Sequence, residues 1–361
     1  MSRFWHAKIL QHLCEKLTAC YVFPDSAEII CANLRKHQET GEYDAIEEGD
    51  LFALALTMHM QEVNHDEHLW VKWHPEPLPD DEGPLRLNQD WQEQRRLEAS
   101  LDNYGLHRAE RLPGNVGYID IHYFHRPAWG GDTAVAAMNF LADASALIID
   151  LRNCTGGYPG MIALISSYLF GEDPVHLNSI YWRDEDITQQ YWTLPYVPGK
   201  GFCNKPIYVL TSKVTFSGGE EFAYILQTRK RATLIGDKTD GGAHAGASYR
   251  LDPHFEAFIP IGRTINPITA TNWEGSGITP DIPVPQEQAF TAAYYMAIRS
   301  VLANLGASPS GALMALSKEA QTAIKELESD QKICIKCGYQ NPLYRASCKN
   351  CDEPLLDSTA V

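Results

Sequence analysis

Two apolar runs restrict the fold more than any other feature of this chain. Ala146 to Leu151 (ALIIDL, apolar but for Asp150) and Ile207 to Leu210 (IYVL) are short and show no alternation, the pattern of strands buried on both faces. Each feeds through a turn into an apolar helix, the first from about Met161 to Phe170 and the second through Phe222 and Leu226. Val116 to Ile121 reads as another strand, Ala134 to Leu141 as a helix, and Thr233 to Ile235 as a short strand. Strands that alternate with helices predict an α/β layer. Tyr249 to Ile261 reads as a hairpin region.

The flanks are different. Trp5, Ile9, Leu10, Leu13 and Leu17 recur at helical spacing. Pro24-Asp25-Ser26 supplies a turn and a cap for a second stripe, Ala27, Ile30, Cys31 and Leu34, and Asp50 is placed to cap a third helix carrying Leu51, Leu54, Ala55 and Met58. Residues 75–112, rich in proline and charge, read as a linker with a short helix. Gln286 to about Leu305 reads as a helix stopped by Gly306, and Leu313, Leu316, Ile324 and Leu327 mark one more.

A formal charge of -16 over 361 residues argues against a polyanion-binding surface, and so against nucleic acid as a partner. The N-terminus lacks the apolar core of a signal peptide, and no apolar run is long enough to cross a bilayer, so a cytoplasmic location is expected. Of nine cysteines, Cys14, Cys20, Cys31, Cys154 and Cys203 are scattered and odd in number, a poor disulfide framework.

Four glycine-rich segments carry the chemistry. LTSKVTFSGGEEFAYIL follows a buried strand and opens a helix, so Ser217 can project its Oγ where helix-start amides favour a developing oxyanion. The plainer alternative is a helix cap, with Glu220 completing a capping box. DLRNCTGGYPG follows the other buried strand, and Gly156 and Gly157 expose backbone there; alone, this is a tight turn. GDKTDGGAHAG and TNWEGSGITPDIPV follow in that order.

Together the four segments resemble the tail-specific (C-terminal-processing) serine peptidases from about Gly114 to Val284. The helical N-terminus is similar to that of the branch containing tricorn protease and the repeats of interphotoreceptor retinoid-binding protein. The resemblance implies a crotonase-like ββα spiral of the α/β class and an acyl-enzyme on Ser217, with Gly157 and Gly218 as oxyanion donors and no cofactor for catalysis. Many family members place a catalytic lysine inside the glycine loop, but Gly242 stands at that position here, and Lys238 precedes the loop. The tricorn-like pattern uses an upstream histidine and a late glutamate instead. It implies His68, from NHDEHLWVKW, as base, and Glu274, from NWEGSG, as the carboxylate that orients the site. His65 and His74 lie close enough in sequence to be confused with His68, and His244 in the glycine loop is the main competitor.

Cys334-x2-Cys337 and Cys348-x2-Cys351, ten residues apart, are the remaining signal. Two thiolate pairs on tight knuckles suit one tetrahedral, structural zinc, and the stretch resembles a short zinc ribbon. The expected organisation is a helical subdomain (1–74), a linker (75–112), a peptidase domain (113–306), a helical linker (307–331) and a zinc ribbon (332–356). The expected substrate is a peptide or an unfolded protein tail, with a protein partner for the ribbon. The alternative is a non-catalytic binding protein for apolar ligands or partners on the same fold.

Overall fold

The structure is a computed structural model that describes residues 3–353 apart from 81–82, 307–308, 330, 334–335, 337–339, 343–344 and 346. The chain forms two compact units. The first comprises Met1–Glu98, Asn178–Gln190 and Gly242–Gly275, and the second comprises Ala99–Leu177, Tyr191–Gly241 and Ser276–Val361. Residues 178–190 and 242–275, which the sequence groups with the α/β layer, therefore pack in the first unit.

In the first unit three helices, Arg3–Cys20, Pro24–Glu39 and Gly49–Asn64, follow the predicted stripes. Ile9, Leu13, Leu17, Ile30, Leu34, Phe52 and Leu56 are fully buried against Phe255, Ala257 and Ile259. Those three residues belong to the predicted hairpin, His244–Asp252 with Phe255–Ile265. The hairpin sits in a five-stranded sheet with Trp70–Trp73, His176–Trp182 and Ile187–Trp192. One stripe is corrected. Leu51, Leu54 and Met58 are half exposed, and Phe52, Ala53, Leu56 and Met60 point inward. The cap is Glu48 rather than Asp50 and makes no side-chain cap bond.

The second unit is built on a six-stranded sheet in the order Ile282–Pro283, Thr233–Gly236, Ile207–Thr211, Ala146–Asp150, Val116–Ile121, Leu106–Leu112. The first five run parallel and the last is antiparallel. Every residue of Ala146–Asp150 and Ile207–Thr211 is buried, which is why their sequences carry no alternation. Helix Gln286–Leu305 lays Ala289, Ala293, Ala297 and Ile298 on Val116, Ile148 and Leu210, the small residues letting helix and sheet approach closely. Within 75–112 the structure finds the predicted helix at Gln89–Leu101 and an edge strand at Leu106–Leu112. Four of that strand's seven residues are exposed, which hid it from hydrophobic patterning. No helix of the described residues is long and apolar enough to cross a membrane.

Candidate active site

The glycine loop and the serine loop both leave the carboxyl ends of neighbouring parallel strands, where open α/β sheets bind ligands. Phe216 donates its amide to the Cys154 carbonyl at 3.0 Å, tying one loop to the other. Ser217 follows at φ 50°, ψ -116°, a conformation that penalises any side chain with a Cβ. The capping box with Glu220 forms. It does not account for this backbone, because an ordinary capping serine is extended. Glu220 is fully buried, and both its oxygens are used: Oε2 accepts the Ser217 amide at 2.9 Å and Oε1 the Thr239 hydroxyl at 2.5 Å.

The space around Ser217 admits only glycine. A Cβ on Gly218 would stand 2.7 Å from the Gly157 amide nitrogen, and one on Gly156, at φ 133°, would stand 3.1 Å from the Ser217 Cβ. Gly157 has φ 139°, and a Cβ there would meet the Phe124 carbonyl oxygen at 2.4 Å. The structure thus brings the backbones of Ser217, Gly157 and Gly218 together.

His68, His244 and Glu274 belong to the first unit, together with two residues that the sequence did not single out, Asp66 and Tyr21. Asp66 Oδ2 lies 2.9 Å from His244 Nδ1 and accepts the Tyr21 hydroxyl at 2.8 Å, while Oδ1 accepts the His68 amide at 3.1 Å. Glu274 lies 3.5 Å from His244 Nδ1 and accepts the Ala243 amide. The Trp273 indole donates to the Gly242 carbonyl at 2.7 Å, which fixes the GDKTDGGAHAG segment against the NWEGSG turn. Gly242 serves here as a backbone anchor.

The electrostatics follow from burial and these contacts. Burial alone would raise the Asp66 carboxyl, but His244, His68 and Tyr21 together hold it below the usual range. Burial pushes His68 down to about 4, with Asp66 opposing and His244 adding. Burial lifts Glu274 to about 7, opposed by His244 and helped by Asp66. Buried acid and imidazole are thus both biased toward their neutral forms, around a charged Asp66.

Among the described residues, two histidine–carboxylate groups have donor atoms close enough for a cation: Asp66, His244 and Glu274, and separately His37, Glu42 and His59. In the second group the imidazoles stack at 3.6 Å and 5°, so their in-plane lone pairs run parallel rather than toward one ion. Of the predicted thiolates, Cys334 and Cys337 lie outside the described residues. Cys348 is fully buried with Cys351 packed against it, and the Asn350 amide donates to Cys348 Sγ at 3.4 Å. Asp352 returns its amide to the Cys348 carbonyl at 2.9 Å, closing a tight turn. An amide aimed at sulfur stabilises thiolate charge, so this half of the cluster fits a zinc knuckle.

Residues 115–284 match the model of peptidase family S41, and residues 3–99 match the model described as the N-terminal domain of peptidase S41 in eukaryotic IRBP. The chain is 28% identical over 192 residues to the chloroplastic carboxyl-terminal-processing peptidase 1 of Arabidopsis thaliana, covering 52% of this chain and 37% of that protein. It is 32% identical over 145 residues to the carboxyl-terminal-processing protease of a Synechocystis strain, covering 39% of this chain and 32% of that protein. These matches span about a third of the relatives' own length. A candidate peptidase from Parabacteroides merdae, 16% identical, shares the fold with a TM-score of 0.52 over 78% of this chain and 90% of its own. The chain has a helical N-terminal region and a mixed α/β layer, and over residues 115–284 it is similar to peptidase family S41.

Proposed function

We propose that the chain is a serine-type peptidase that cleaves peptides or unfolded protein tails through an acyl-enzyme on Ser217. The observation that carries this reading is the Ser217 backbone, held at positive φ by a buried carboxylate and backed by two glycine turns that no larger residue could replace. A strained elbow that presents a hydroxyl to clustered amides suits acyl transfer better than capping alone. Attack on the scissile carbonyl would form a tetrahedral oxyanion facing the Gly157 and Gly218 amides. Its collapse would release the amine, and water would then hydrolyse the ester. The names of the curated relatives, carboxyl-terminal-processing peptidases, agree with a preference for chain tails.

Serine needs a base at its hydroxyl. The tricorn-like pattern of the sequence assigns that role to His68, with Glu274 as orienting carboxylate. A specific observation favours His244. Its Nδ1 is held by Asp66, which fixes the tautomer and leaves Nε2 as the basic atom, the arrangement a triad requires. Burial leaves His68 too weak a base for efficient catalysis near neutrality. We therefore take His244 as the base, Asp66 as its orienting carboxylate, and Glu274 as a second carboxylate that charges the site. The test is a pair of variants assayed on a fluorogenic peptide. His244→Ala should lose activity, whereas full activity in His244→Ala with loss in His68→Ala restores the sequence assignment. A crotonase-like spiral, membership of the tricorn and retinoid-binding branch, and a structural zinc ribbon at the C-terminus complete the proposal.

A further inference from the structure

The segment after strand Val116–Ile121 runs alongside residues 155–158 of the glycine loop. Thr155 donates to the His122 carbonyl at 3.0 Å, Phe124 to Gly156 at 2.9 Å, and Tyr158 to Phe124 at 2.7 Å. Phe124 and Gly157 form a parallel bridge, and the Phe124 ring packs 5.3 Å from Phe222 on the helix that starts at Ser217. This segment is thus fixed to both walls of the serine site. Two residues further, Arg126 sets its guanidinium 4.6 Å over the Tyr158 ring and 5.5 Å from the Trp129 ring.

Arg126 is left without a counter-ion. Among the described residues no carboxylate pairs with it, and its Nε is buried with no acceptor. Elsewhere in this unit Arg152 is paired by Asp150, Arg231 is held by the carbonyls of Leu169, Phe202 and Lys205, and Arg229, whose Nε is also unpartnered, still donates to the His176 carbonyl. Aromatic rings on a guanidinium engage its faces and leave its in-plane N–H groups for a planar anion. The surroundings reinforce the charge. Helices Pro127–Leu141 and Pro159–Leu169 start here, neither with an acidic residue in its first turn, and a Cβ on Gly160 would lie 3.4 Å from the Pro127 ring. Two positive helix ends meet beside an unpaired cation.

We infer that Arg126 forms a carboxylate-binding subsite for the peptide substrate, next to the Gly157–Ser217 centre, an assignment that rests on the peptidase activity proposed for that centre. Tyr158 directly follows Gly157, and an extended peptide advances roughly 3.3–3.6 Å per residue. The carboxylate therefore belongs to a residue within about two of the scissile bond. It is either the chain terminus, which would make the enzyme a short-step tail trimmer, or an Asp or Glu side chain.

The test compares four peptides that differ only near the scissile bond: a free C-terminus, its carboxamide, and carboxamides with Asp or Asn one residue beyond the cut. The wild type should favour a carboxylate by about tenfold to a hundredfold in kcat/KM, the worth of one charge-assisted bidentate contact. In Arg126→Gln the ratio should collapse toward one, largely through KM, and Arg126→Lys should recover part of it. Because each ratio is internal to one variant, partial misfolding does not mimic the effect. A preference for the free terminus over its amide identifies the tail, and a preference for Asp over Asn identifies the side chain. Equal rates for all four peptides in the wild type, or an unchanged ratio in Arg126→Gln, overturn the subsite. Affinities of the same peptides for the Ser217→Ala protein read the discrimination without turnover. A carboxylate-dependent affinity that requires Arg126 in a protein that hydrolyses nothing would refute the peptidase reading and keep the subsite.

Discussion

Ser217 carries two demands that a substitution can separate. As nucleophile it needs its hydroxyl, and as elbow it needs a backbone that a Cβ resists. Ser217→Ala should abolish peptide hydrolysis, a loss on the order of 10⁶ in kcat, with no gain in stability. Ser217→Gly should be equally inactive but more stable than the alanine variant by about 1 kcal/mol, because glycine adopts φ 50°, ψ -116° freely and still tolerates the capping position. Equal melting temperatures for the two would show that the elbow is not strained. The buried cluster of the first unit makes a second prediction through proton linkage. Glu274 titrates near 7 when folded and near 4.5 when unfolded, so the native state keeps a proton across that window and stability falls as pH rises. His68 titrates near 4 when folded and 6.5 when unfolded, so the native state refuses a proton and stability rises with pH. The slopes oppose between about pH 4.5 and 6.5. In Glu274→Gln only the histidine slope remains, so urea unfolding should show stability climbing more steeply than in the wild type over that range. A flatter profile would contradict the burial assigned to these groups. Ser217, Gly157, Gly218 and Glu274 were singled out in the sequence because each sits in a local glycine-rich motif. Asp66 and Tyr21 were not, because their role comes from contacts 178 and 45 residues apart in the chain, which no local pattern records.

Helix Gly49–Asn64 shows where periodicity stops deciding. It carries two apolar stripes, Leu51, Leu54 and Met58 on one side and Phe52, Leu56 and Met60 on the other, and only packing selects between them. Phe52→Ala should cost about 3–5 kcal/mol in chemical denaturation, whereas Leu51→Ala should change stability by less than about 0.5 kcal/mol. The reverse order would mean that the outward stripe is the buried one. Strands Leu106–Leu112 and Ile187–Trp192 were missed for a related reason, since both leave most side chains in solvent and show no apolar alternation. The buried parallel strands and the helices between them were read correctly because full burial writes itself into composition. The glycine turn has the opposite character: its residues say little alone, and its geometry leaves no freedom. Gly157→Ala would drive a Cβ into the Phe124 carbonyl, so it should abolish activity and destabilise the fold by about 1–3 kcal/mol, measurable as a lowered Tm.

The whole chain pairs an α/β layer that buries its own core with a short C-terminal cysteine module that has few apolar residues. If that module binds zinc, metal supplies most of its folding energy, roughly 10–16 kcal/mol by analogy with zinc-finger peptides. A strong chelator under reducing conditions should then release about one zinc per chain and raise amide exchange in the tail. Hydrolysis of small peptides should persist. Loss of that hydrolysis would mean that the tail supports the catalytic layer directly, and absence of metal would remove the module. The first unit raises a different matter, that of timing. Its core joins helices within residues 9–60 to hairpin residues 247–261, made about 190 residues later. At roughly 5–20 residues per second, a ribosome takes on the order of 10–40 s to supply the missing partner. Through that interval Ile9, Leu13, Leu17, Ile30, Phe52 and Leu56 have nothing to close over them, so the nascent helices are a natural client for a chaperone, and an isolated fragment 1–98 should aggregate rather than fold.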